Sequence, residues 1–278
     1  MVDGRGAFPE LKPGWVWLVG AGPGDPGLLT LLAYDALQQA EVVVYDALVD
    51  DAVLDFVPDH VTLEQAGKRG GRPSPKQRDI SQRLVQLARA GSRVVRLKGG
   101  DPLVFGRGGE EALALVDNGV PFRVVPGMTA GLGGLAYAGI PLTHRDTNSA
   151  VTFVTGHDIG GALHTSLDWD ALCRAPVLVV YMGMKHLEPM AERLRAGGRP
   201  PDEPVAVVSR ATTPGQHVLE TTLVDATADV AASGIQPPAV IVVGEVVRLR
   251  AGLDWLNALH GRTLVPDPLG ERTPRDTG

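Results

Sequence analysis

The chain has little of what marks a secreted, membrane-spanning or metal-binding protein. It has one cysteine, Cys173, in 278 residues, which excludes an internal disulfide and favours a reducing, cytoplasmic compartment. Its longest apolar runs are too short to span a bilayer, and its first residues include no apolar segment typical of a signal peptide. The seven histidines show no H-x-x-x-H pairing, so we expect no metal site. The short apolar runs also lead us to expect no membrane partner.

What is present is typical of a globular protein, with 44% hydrophobic and 21% charged residues and a length that allows one large domain or two ordinary ones. The net charge of −6 argues against nucleic acid as a partner. Even so, the segment from Gln65 to Gly100 has ten basic residues and a single acid, Asp79. Because Lys68, Arg69 and Arg72 lie in a glycine-rich run and guanidinium groups bind carboxylates bidentately, we expect an acidic small molecule as ligand.

Short β-branched runs alternate with amphipathic runs in the first half of the chain, which predicts a mostly parallel sheet. The predicted strands there are Val16–Val19, Val42–Tyr45, Val61–Glu64, Val94–Leu97 and Arg123–Val125. The second half predicts strands at Val151–Val154, Val177–Tyr181, Val205–Val208, Val218–Thr222 and Val240–Val243. The third and fourth of these are joined by a connection too short for a crossover helix, so we predict an antiparallel pair and a mixed sheet.

The fold class is therefore α/β, with two domains predicted over residues 14–128 and 129–253. Between them, the small-residue run 126–141 predicts a helix that packs closely on a sheet and leads out of the first domain. Residues 1–13 and 254–278 are rich in proline, glycine and charge, and we expect a disordered N-terminus and a flexible tail.

Two glycine-rich loops follow predicted strands, VGAGPGDPGLLT from Val19 to Thr30 and GGDPLVFGRGGEE from Gly99 to Glu111. Each connects a strand to a helix, which is where open α/β sheets bind their ligands. Glycine lets a backbone approach a ligand closely at such a turn.

The first loop begins like the dinucleotide motif G-x-G-x-x-G but departs from it. Asp25 stands where the third glycine should be, and Pro23 removes a backbone N–H that a pyrophosphate would need. Asp25 is better suited to cap a helix that begins at Pro26. Since Asp46 lies where a ribose-binding acid would be, a nicotinamide dinucleotide stays open as an alternative.

Seven motifs occur in order along residues 15–249: VWLVGAGPGDPGLLT, VVYDALV, GKRGG, VVRLKGGDPLVFGRGGEE, VVPGMTAG, GIPLTHRD and YMGM. Together they resemble the tetrapyrrole methylases. The resemblance implies two α/β domains with the active site in the cleft between them. It also implies S-adenosylmethionine as methyl donor, a nucleoside ligand without the phosphate that the first loop disfavours.

Within that family, GKRGG, FGRGGEE and THRD favour the members that methylate uroporphyrinogen III. The resemblance then implies two successive C-methylations, at C2 and C7, with precorrin-2 and S-adenosylhomocysteine as products. It also implies a homodimer. Another tetrapyrrole methylase, such as a corrin-ring methyltransferase or a diphthine synthase, stays open as an alternative, and a non-catalytic binding protein is disfavoured by the density of charged residues on the cleft side.

The resemblance also implies roles for individual residues. The cofactor contacts it implies are Pro23, Gly99, Gly100, Asp101, Val104, Thr129, Ala130, Met182, Ala211 and Ala239. Asp46 is implied as the proton acceptor and Lys68 as the donor. Apart from the resemblance, Glu110, beside Arg107, is a second candidate acid–base group. Uroporphyrinogen III has eight carboxylates and needs well-placed cations, for which the candidates are Arg69, Arg72, Arg107, His144 and Arg145.

Several of these residues also have a structural interpretation. Asp46 has a side chain that often caps the N-terminus of a helix. Asp101 precedes a proline and has a side chain that often caps a turn. Met182 fits a hydrophobic core equally well, and His144 fits a structural role. Ala211 stands where relatives often have glycine.

Overall fold

The computed structural model describes residues 8–66, 77–156 and 166–270. The chain divides into two units, Met1–Thr129 and Ala130–Gly278, and each has its own five-stranded sheet. The predicted fold class is confirmed, because the first sheet is all parallel and the second is mixed. No helix within the described ranges has the length and apolar character of a membrane span.

The first unit is a parallel sheet with helices on both faces. Its strands are β1 Val16–Gly20, β2 Val42–Tyr45, β3 Thr62–Gln65, β4 Val94–Lys98 and β5 Phe122–Val125. Its helices are α1 Leu31–Gln39, α2 Asp51–Leu54, α3 Gln77–Arg89 and α4 Gly108–Asp117. The strand order is β3-β2-β4-β1-β5, and all five strands were predicted to within a residue or two.

The two faces of this sheet are covered by different helices. Alternate residues of β4 divide between two cores, with Val95 packed on the α1–α2 side and Val94 on the α3–α4 side. The loop after β1 therefore leads to a helix on one face, and the loop after the adjacent β4 leads to a helix on the other. Open α/β sheets bind ligands at such a divergence of neighbouring loops, outside the carboxyl ends of the strands.

The loops after β1, β4 and β5 meet backbone to backbone at this edge. Gly22 and Gly100 exchange two hydrogen bonds, N–H to carbonyl, of 3.2 and 2.8 Å. A Cβ added at Gly20 would lie 2.5 Å from the Cα of Gly127, and one at Gly127 would overlap the carbonyl oxygen of Gly100. Only glycine fits at these crossings.

The second unit combines a mixed sheet with shorter helices. Its strands are β6 Thr152–Thr155, β7 Leu178–Tyr181, β8 Pro204–Ser209, β9 His217–Thr222 and β10 Ala239–Val243. Its helices are α5 Ala130–Tyr137, α6 Trp169–Arg174, α7 Leu187–Ala196, α8 Ala226–Ser233, α9 Arg250–Leu253 and α10 Trp255–Ala258. The order is β6-β7-β10-β8-β9. The predicted antiparallel pairing of β8 with β9 is confirmed.

Helix α5 is shorter than the predicted helix over 126–141, and it packs on the sheet of the second unit. The backbone N–H of Gly131 donates to the hydroxyl of Tyr181 at 2.7 Å. A Cβ at Gly134 would lie 2.6 Å from the Cβ of Ala211. The small residues of this helix are therefore required by its close contact with the sheet.

Residues near both ends of the chain are anchored where their composition predicted disorder. Leu11 is fully buried, and its N–H donates to Oε1 of Gln39 at 2.7 Å. Trp255 begins α10, and its indole N–H donates to the carbonyl of Ala136 at 2.9 Å. A buried leucine holds the first segment and an indole hydrogen bond holds the start of the second, and average composition does not show such single contacts.

We expect Gly127→Ala to lower the free energy of unfolding by about 1–3 kcal/mol, because the added methyl group overlaps backbone that has no room to move. Thermal and urea unfolding measure this. Gly109→Ala, at a helical position with open space around the glycine, is the matched control and should stabilise the protein slightly. Equal stability of Gly127→Ala and the unmodified chain would contradict the close loop packing.

Candidate functional site

The carboxyl edge of the first sheet brings together most of the cofactor residues predicted in this unit. Gly100 has a φ of +69°, and a Cβ there would find only the Cα of Thr129, 3.9 Å away, so the loop leaves open space beside buried Thr129. At Gly99, by contrast, a Cβ would lie 2.7 Å from that of Leu48. Glycine is required at Gly99 because that position packs against the β2–α2 loop. At Gly100, glycine instead leaves open space that a ligand could occupy.

Asp101 fixes the loop that contains it. Its Oδ1 accepts the N–H of Leu103 at 2.8 Å, and its Oδ2 accepts the N–H of Gly127 at 3.0 Å. The turn-capping role is therefore real, and it joins the loops after β4 and β5. Both bonds are to backbone, so the carboxylate stays able to accept from a ligand as well.

The loop after β1 is unsuited to a pyrophosphate. The N–H of Gly22 is already donated to Gly100, Pro23 has none, and Asp25 accepts the N–H of Gly27 at 2.7 Å. The predicted cap of Asp25 with Pro26 at the first position is confirmed, although the helix is a short 3₁₀ turn. These features remove the donors on which dinucleotide binding depends.

Asp46 lies at the end of β2 with part of its side chain exposed, 23%. Its Oδ1 accepts the N–H groups of Leu48 and Gly99 at 3.1 and 3.3 Å. Its Oδ2 lies 3.6 Å from the guanidinium of Arg96. The N-cap alternative is not what the structure has, since Asp50 caps α2. Asp46 is an oriented carboxylate that still reaches solvent, as a general base must.

Arg107 and Glu110 pair with each other at the surface. The Arg107 guanidinium donates to both carboxylate oxygens of Glu110, with Nε at 3.0 and 3.1 Å, and both side chains are about half exposed. The hydrogen bond from Arg107 lowers the pKa of Glu110, and the same bond raises the pKa of Arg107. Glu110 is therefore ionised at neutral pH and poorly suited to donate a proton.

Arg107 also adopts the left-handed conformation, with a φ of +59°, as does Phe105 with +52°. The start of α4 packs tightly against the loop that precedes it, because a Cβ added at Gly108 would overlap the carbonyl oxygen of Pro102. Val104 lies in this turn, half-buried. Non-glycine residues in such conformations cost energy and cluster at functional sites.

A buried charge cluster beneath Asp46 was missed by the sequence analysis. Glu111 is fully buried, and its Oε1 lies 3.2 Å from Nε of Arg96 and 3.2 Å from Nζ of Lys98. Gln77 donates to the same oxygen at 2.9 Å. Burial lowers the pKa of Lys98, while Glu111 and Asp46 act to raise it.

The basic segment between Gln65 and Gly100 is less positive than its composition indicates. Arg96 and Lys98 are buried with Glu111, and Arg83 and Arg93 pair with acids outside the segment, Glu64 at 2.6 Å and Glu41 at 3.2 Å. Four of the ten cations are thus neutralised locally. Lys68, Arg69 and Arg72, the cations with the clearest predicted roles, lie outside the described residues.

In the second unit, the predicted cofactor residues meet at one edge of the mixed sheet. Met182 comes directly after β7, and Ala211 is the second residue after β8. Ala239 begins β10, which lies between β7 and β8 and pairs with both of them in antiparallel fashion. Ala130 starts α5, whose next residue binds Tyr181 at the end of β7. The core alternative for Met182 is not observed, because its side chain is 42% exposed.

The backbone at this edge is strained as well. Met182 has a φ of +55°, and Arg210 and Thr212 on either side of Ala211 have values of +46° and +66°. Ala211 itself is buried and packs its methyl group on Gly134 of α5.

His144 and Arg145 lie in a loop that is organised by one side chain. Asn148 accepts the N–H of His144 at 3.2 Å and donates to the carbonyls of Leu142 and Ala150 at 2.9 Å each. Arg145 is exposed at the tip. His144 lies 3.5 Å from Asp146, so its imidazole takes part in the loop structure whether or not it binds a ligand.

The parts of the chain that the structure describes include no group of three or more histidine, cysteine or acidic side chains able to hold a metal ion. The first sheet edge instead offers open backbone, a partly exposed carboxylate and a charge cluster beneath it. This arrangement suits an uncharged or cationic ligand held by backbone and carboxylate groups, beside a group that accepts a proton.

Curated proteins resemble most of this chain. A uroporphyrinogen-III C-methyltransferase from Sinorhizobium sp is 64% identical over 270 residues, which are 97% of this chain and 96% of that protein. Siroheme synthase 2 from Halorhodospira halophila is 48% identical over 245 residues. These are 88% of this chain and 49% of that protein, so the chain spans about half the length of this relative.

Solved structures resemble it too. The uroporphyrin-III C-methyl transferase from Thermus thermophilus, complexed with S-adenyl homocysteine, is 45% identical with a TM-score of 0.72. The match covers 84% of this chain and 99% of that one. A cobalt precorrin-4 methyltransferase is 26% identical with a TM-score of 0.75, over 86% and 98% of the two chains.

The sequence profile described as Tetrapyrrole (Corrin/Porphyrin) Methylases matches residues 16–227 of this chain. That range includes every site residue described above except Ala239. The motifs, the two sheets and the extent of this match lead to one conclusion: the chain belongs to the tetrapyrrole methylases.

Proposed function

We propose that this chain transfers two methyl groups from S-adenosylmethionine to uroporphyrinogen III, at C2 and C7, and so makes precorrin-2. The observation that carries the proposal is the carboxyl edge of the first sheet, where Asp46 lies oriented and partly exposed beside the open loop at Gly100. The near full-length similarity to a uroporphyrinogen-III C-methyltransferase supports the choice of substrate.

The residues present fit S-adenosylmethionine. Gly100 leaves space that a side chain would fill, Pro23 offers no phosphate donor, and the carboxylate of Asp101 suits an α-amino or sulfonium charge. We propose as cofactor contacts the residues predicted in each unit: Pro23, Gly99, Gly100, Asp101, Val104 and Thr129 of the first, and Ala130, Met182, Ala211 and Ala239 of the second. When bound, S-adenosylmethionine supplies the methyl group and leaves as S-adenosylhomocysteine.

In the proposed mechanism, the protein manages orientation and one proton for each transfer. As a ring carbon of the substrate gains the methyl group, the tetrapyrrole becomes cationic and must lose a proton. The methylated carbon already carries a carboxylate side chain and has no hydrogen, so the proton leaves from elsewhere on the tetrapyrrole, and Asp46 accepts it at its partly exposed carboxylate. Lys68 is proposed to donate a proton at one ring position and to take one back from another, so that one proton leaves for each methyl group gained. Orientation alone supplies up to about 7–11 kcal/mol of the barrier lowering in well-aligned reactions, so the fixed loops at this edge matter as much as Asp46.

The eight carboxylates of the substrate call for several cations at defined positions. We propose Arg69, Arg72, Arg107, His144 and Arg145 for this role. Arg107 is already paired with Glu110 at the surface, so a substrate carboxylate would take the place of Glu110. Exposed pairs of this kind are worth only about 0–1 kcal/mol, which makes such an exchange inexpensive.

A second candidate is methylation of a later, corrin-type ring, which the resemblance in backbone to the cobalt precorrin-4 methyltransferase favours. The choice between acceptors depends on the substrate-binding cations.

We also propose that the chain acts in the cytoplasm as a homodimer, and light scattering of the purified protein measures its mass in solution.

Purified protein, incubated without oxygen with S-adenosylmethionine and uroporphyrinogen III, should add two methyl groups to the tetrapyrrole. Mass spectrometry of the extracted tetrapyrrole measures the gain, and omission of S-adenosylmethionine is the control. Binding of S-adenosylhomocysteine without any methyl gain would redirect the proposal to a corrin acceptor. Loss of both binding and methylation would contradict it entirely.

Asp46→Asn should lower kcat about 100- to 10,000-fold, the usual contribution of a general base. The affinity for S-adenosylhomocysteine, measured by calorimetry, should stay within about twofold, because the amide keeps the hydrogen bonds at Oδ1. Asp59→Asn, at an exposed position near the start of β3, is the matched control with unchanged kcat. An unchanged kcat in Asp46→Asn would remove Asp46 from the chemistry.

Met182→Ala should weaken binding of S-adenosylhomocysteine by about 1 kcal/mol, or about fivefold, from lost apolar contact. Since the side chain is largely exposed, the unfolding temperature should change little. Leu113→Ala, another exposed apolar truncation on α4, should leave both quantities unchanged. Equal affinities in Met182→Ala and the unmodified protein would exclude Met182 from the cofactor site.

A further inference from the structure

The buried charge cluster of Asp46, Arg96, Lys98 and Glu111 is expensive to build in the first unit. Glu111 is 0% exposed, Arg96 2% and Lys98 4%, whereas Asp46 is 23% exposed. Removing charges from water costs more than their pairing reliably returns, and apolar replacements are often as stable. A cluster of this kind at a ligand-binding edge of a sheet therefore points to a role in function.

Glu111 holds the inner part of the cluster. Three donors converge on its Oε1: Nε of Arg96 and Nζ of Lys98, each at 3.2 Å, and the amide of Gln77 at 2.9 Å. They come from β4 and α3, while Glu111 belongs to α4. Because the carboxylate is reached from two directions, neither cation can move without leaving a buried charge unbalanced.

Arg96 is fixed on its other sides by backbone. Its Nη1 donates to the carbonyls of Val44 at 3.3 Å and Leu97 at 3.1 Å, which belong to the neighbouring strands β2 and β4. With Nε held by Glu111, the planar guanidinium has one remaining edge, at Nη2. That edge faces Oδ2 of Asp46 at 3.6 Å.

At 3.6 Å this contact is too long for a hydrogen bond. Arg96 thus attracts Oδ2 by charge without occupying its lone pairs, while Oδ1 is held by the N–H groups of Leu48 and Gly99. A carboxylate arranged in this way keeps one oriented oxygen able to accept a proton. Of the four charged residues, Asp46 alone reaches solvent to an appreciable extent.

We propose that Arg96 is a positioning residue that aims Asp46 at the substrate proton, and that Glu111 and Lys98 hold Arg96 in place. This inference rests on the proposed role of Asp46 as proton acceptor. It assigns function to three buried residues that do not themselves contact the substrate. Burial and the neighbouring charge of Arg96 lower the pKa of Lys98, and Glu111 acts in the opposite direction without restoring it.

The test is a double-mutant cycle with Arg96→Lys and Asp46→Asn. Arg96→Lys keeps the charge but loses the planar fork that reaches Glu111 and the two carbonyls at once. Alone, it should lower kcat for uroporphyrinogen III methylation about 10- to 100-fold, as loss of a supporting partner commonly does. In the Asp46→Asn background it should change kcat less than about twofold, because the residue through which it acts is already disabled.

Affinity for S-adenosylhomocysteine separates positioning from a general effect on the fold, and it should stay within about twofold in Arg96→Lys. Arg199→Lys, which alters a buried pair with Glu203 in the second unit, is the matched control: it should lower the unfolding temperature and leave kcat unchanged. If Arg96→Lys does not fold, Glu111→Gln takes its place in the cycle with the same expected pattern.

Equal loss of kcat in both backgrounds, or a parallel loss of cofactor affinity, would overturn the proposal. If the unmodified protein does not methylate uroporphyrinogen III, the proposed function fails first, and a crystal structure of Arg96→Lys still decides this inference. The Asp46 carboxylate should then be rotated out of its orientation. An Asp46 side chain that is unmoved would refute a positioning role for Arg96.

Discussion

The contact of three loops through bare backbone at the carboxyl edge of the first sheet is the constraint on which the rest depends. Gly20 and Gly127 allow loops from three parallel strands to touch, and Asp101 ties two of them together. Because the loop after β1 leads to one face of the sheet and that after β4 to the other, this contact also forms the floor of the predicted ligand site. Glycine at Gly20 and Gly127 serves packing, whereas glycine at Gly100 leaves space for a ligand.

Charge beneath this edge complements the rigid backbone above it. The loops fix where a ligand can lie, and the Glu111–Arg96 pair fixes how Asp46 faces it. The loop contact and the Glu111–Arg96 pair both hold groups in place before the substrate binds. Such preorganisation is the main source of rate enhancement when the protein forms no covalent bond to the substrate. In the proposed site, the first unit contributes Asp46 and the buried charge cluster, and the second contributes residues on strained turns together with His144 and Arg145.

The strands and both sheets were predictable because β-branched runs and short connections are local signals. The buried charge cluster was harder to predict, because Glu110 and Glu111 are adjacent in sequence and their residue type does not show which of them is buried. A signal did exist: Glu111 is in helical phase with Gly108 and Leu115, both buried. Arg96 lies on the same face of β4 as Val94, and this strand is covered on both faces, so its burial follows from the predicted sheet. Arg96 and Lys98, counted among the ten basic residues of the segment from Gln65 to Gly100, are thus not available to a ligand at the surface.

The location of the cofactor tests the account most directly, and a crystal structure with bound S-adenosylhomocysteine measures it. We expect the ligand at the carboxyl edge of the first sheet, against Gly100, Asp101 and Thr129, with Asp46 exposed beside it. A ligand bound elsewhere, or one that displaces the Gly22–Gly100 pairing, would contradict the account. A ligand at the predicted edge would make the contact of the three loops the floor of the active site. Either of the other results would make that contact a purely structural feature.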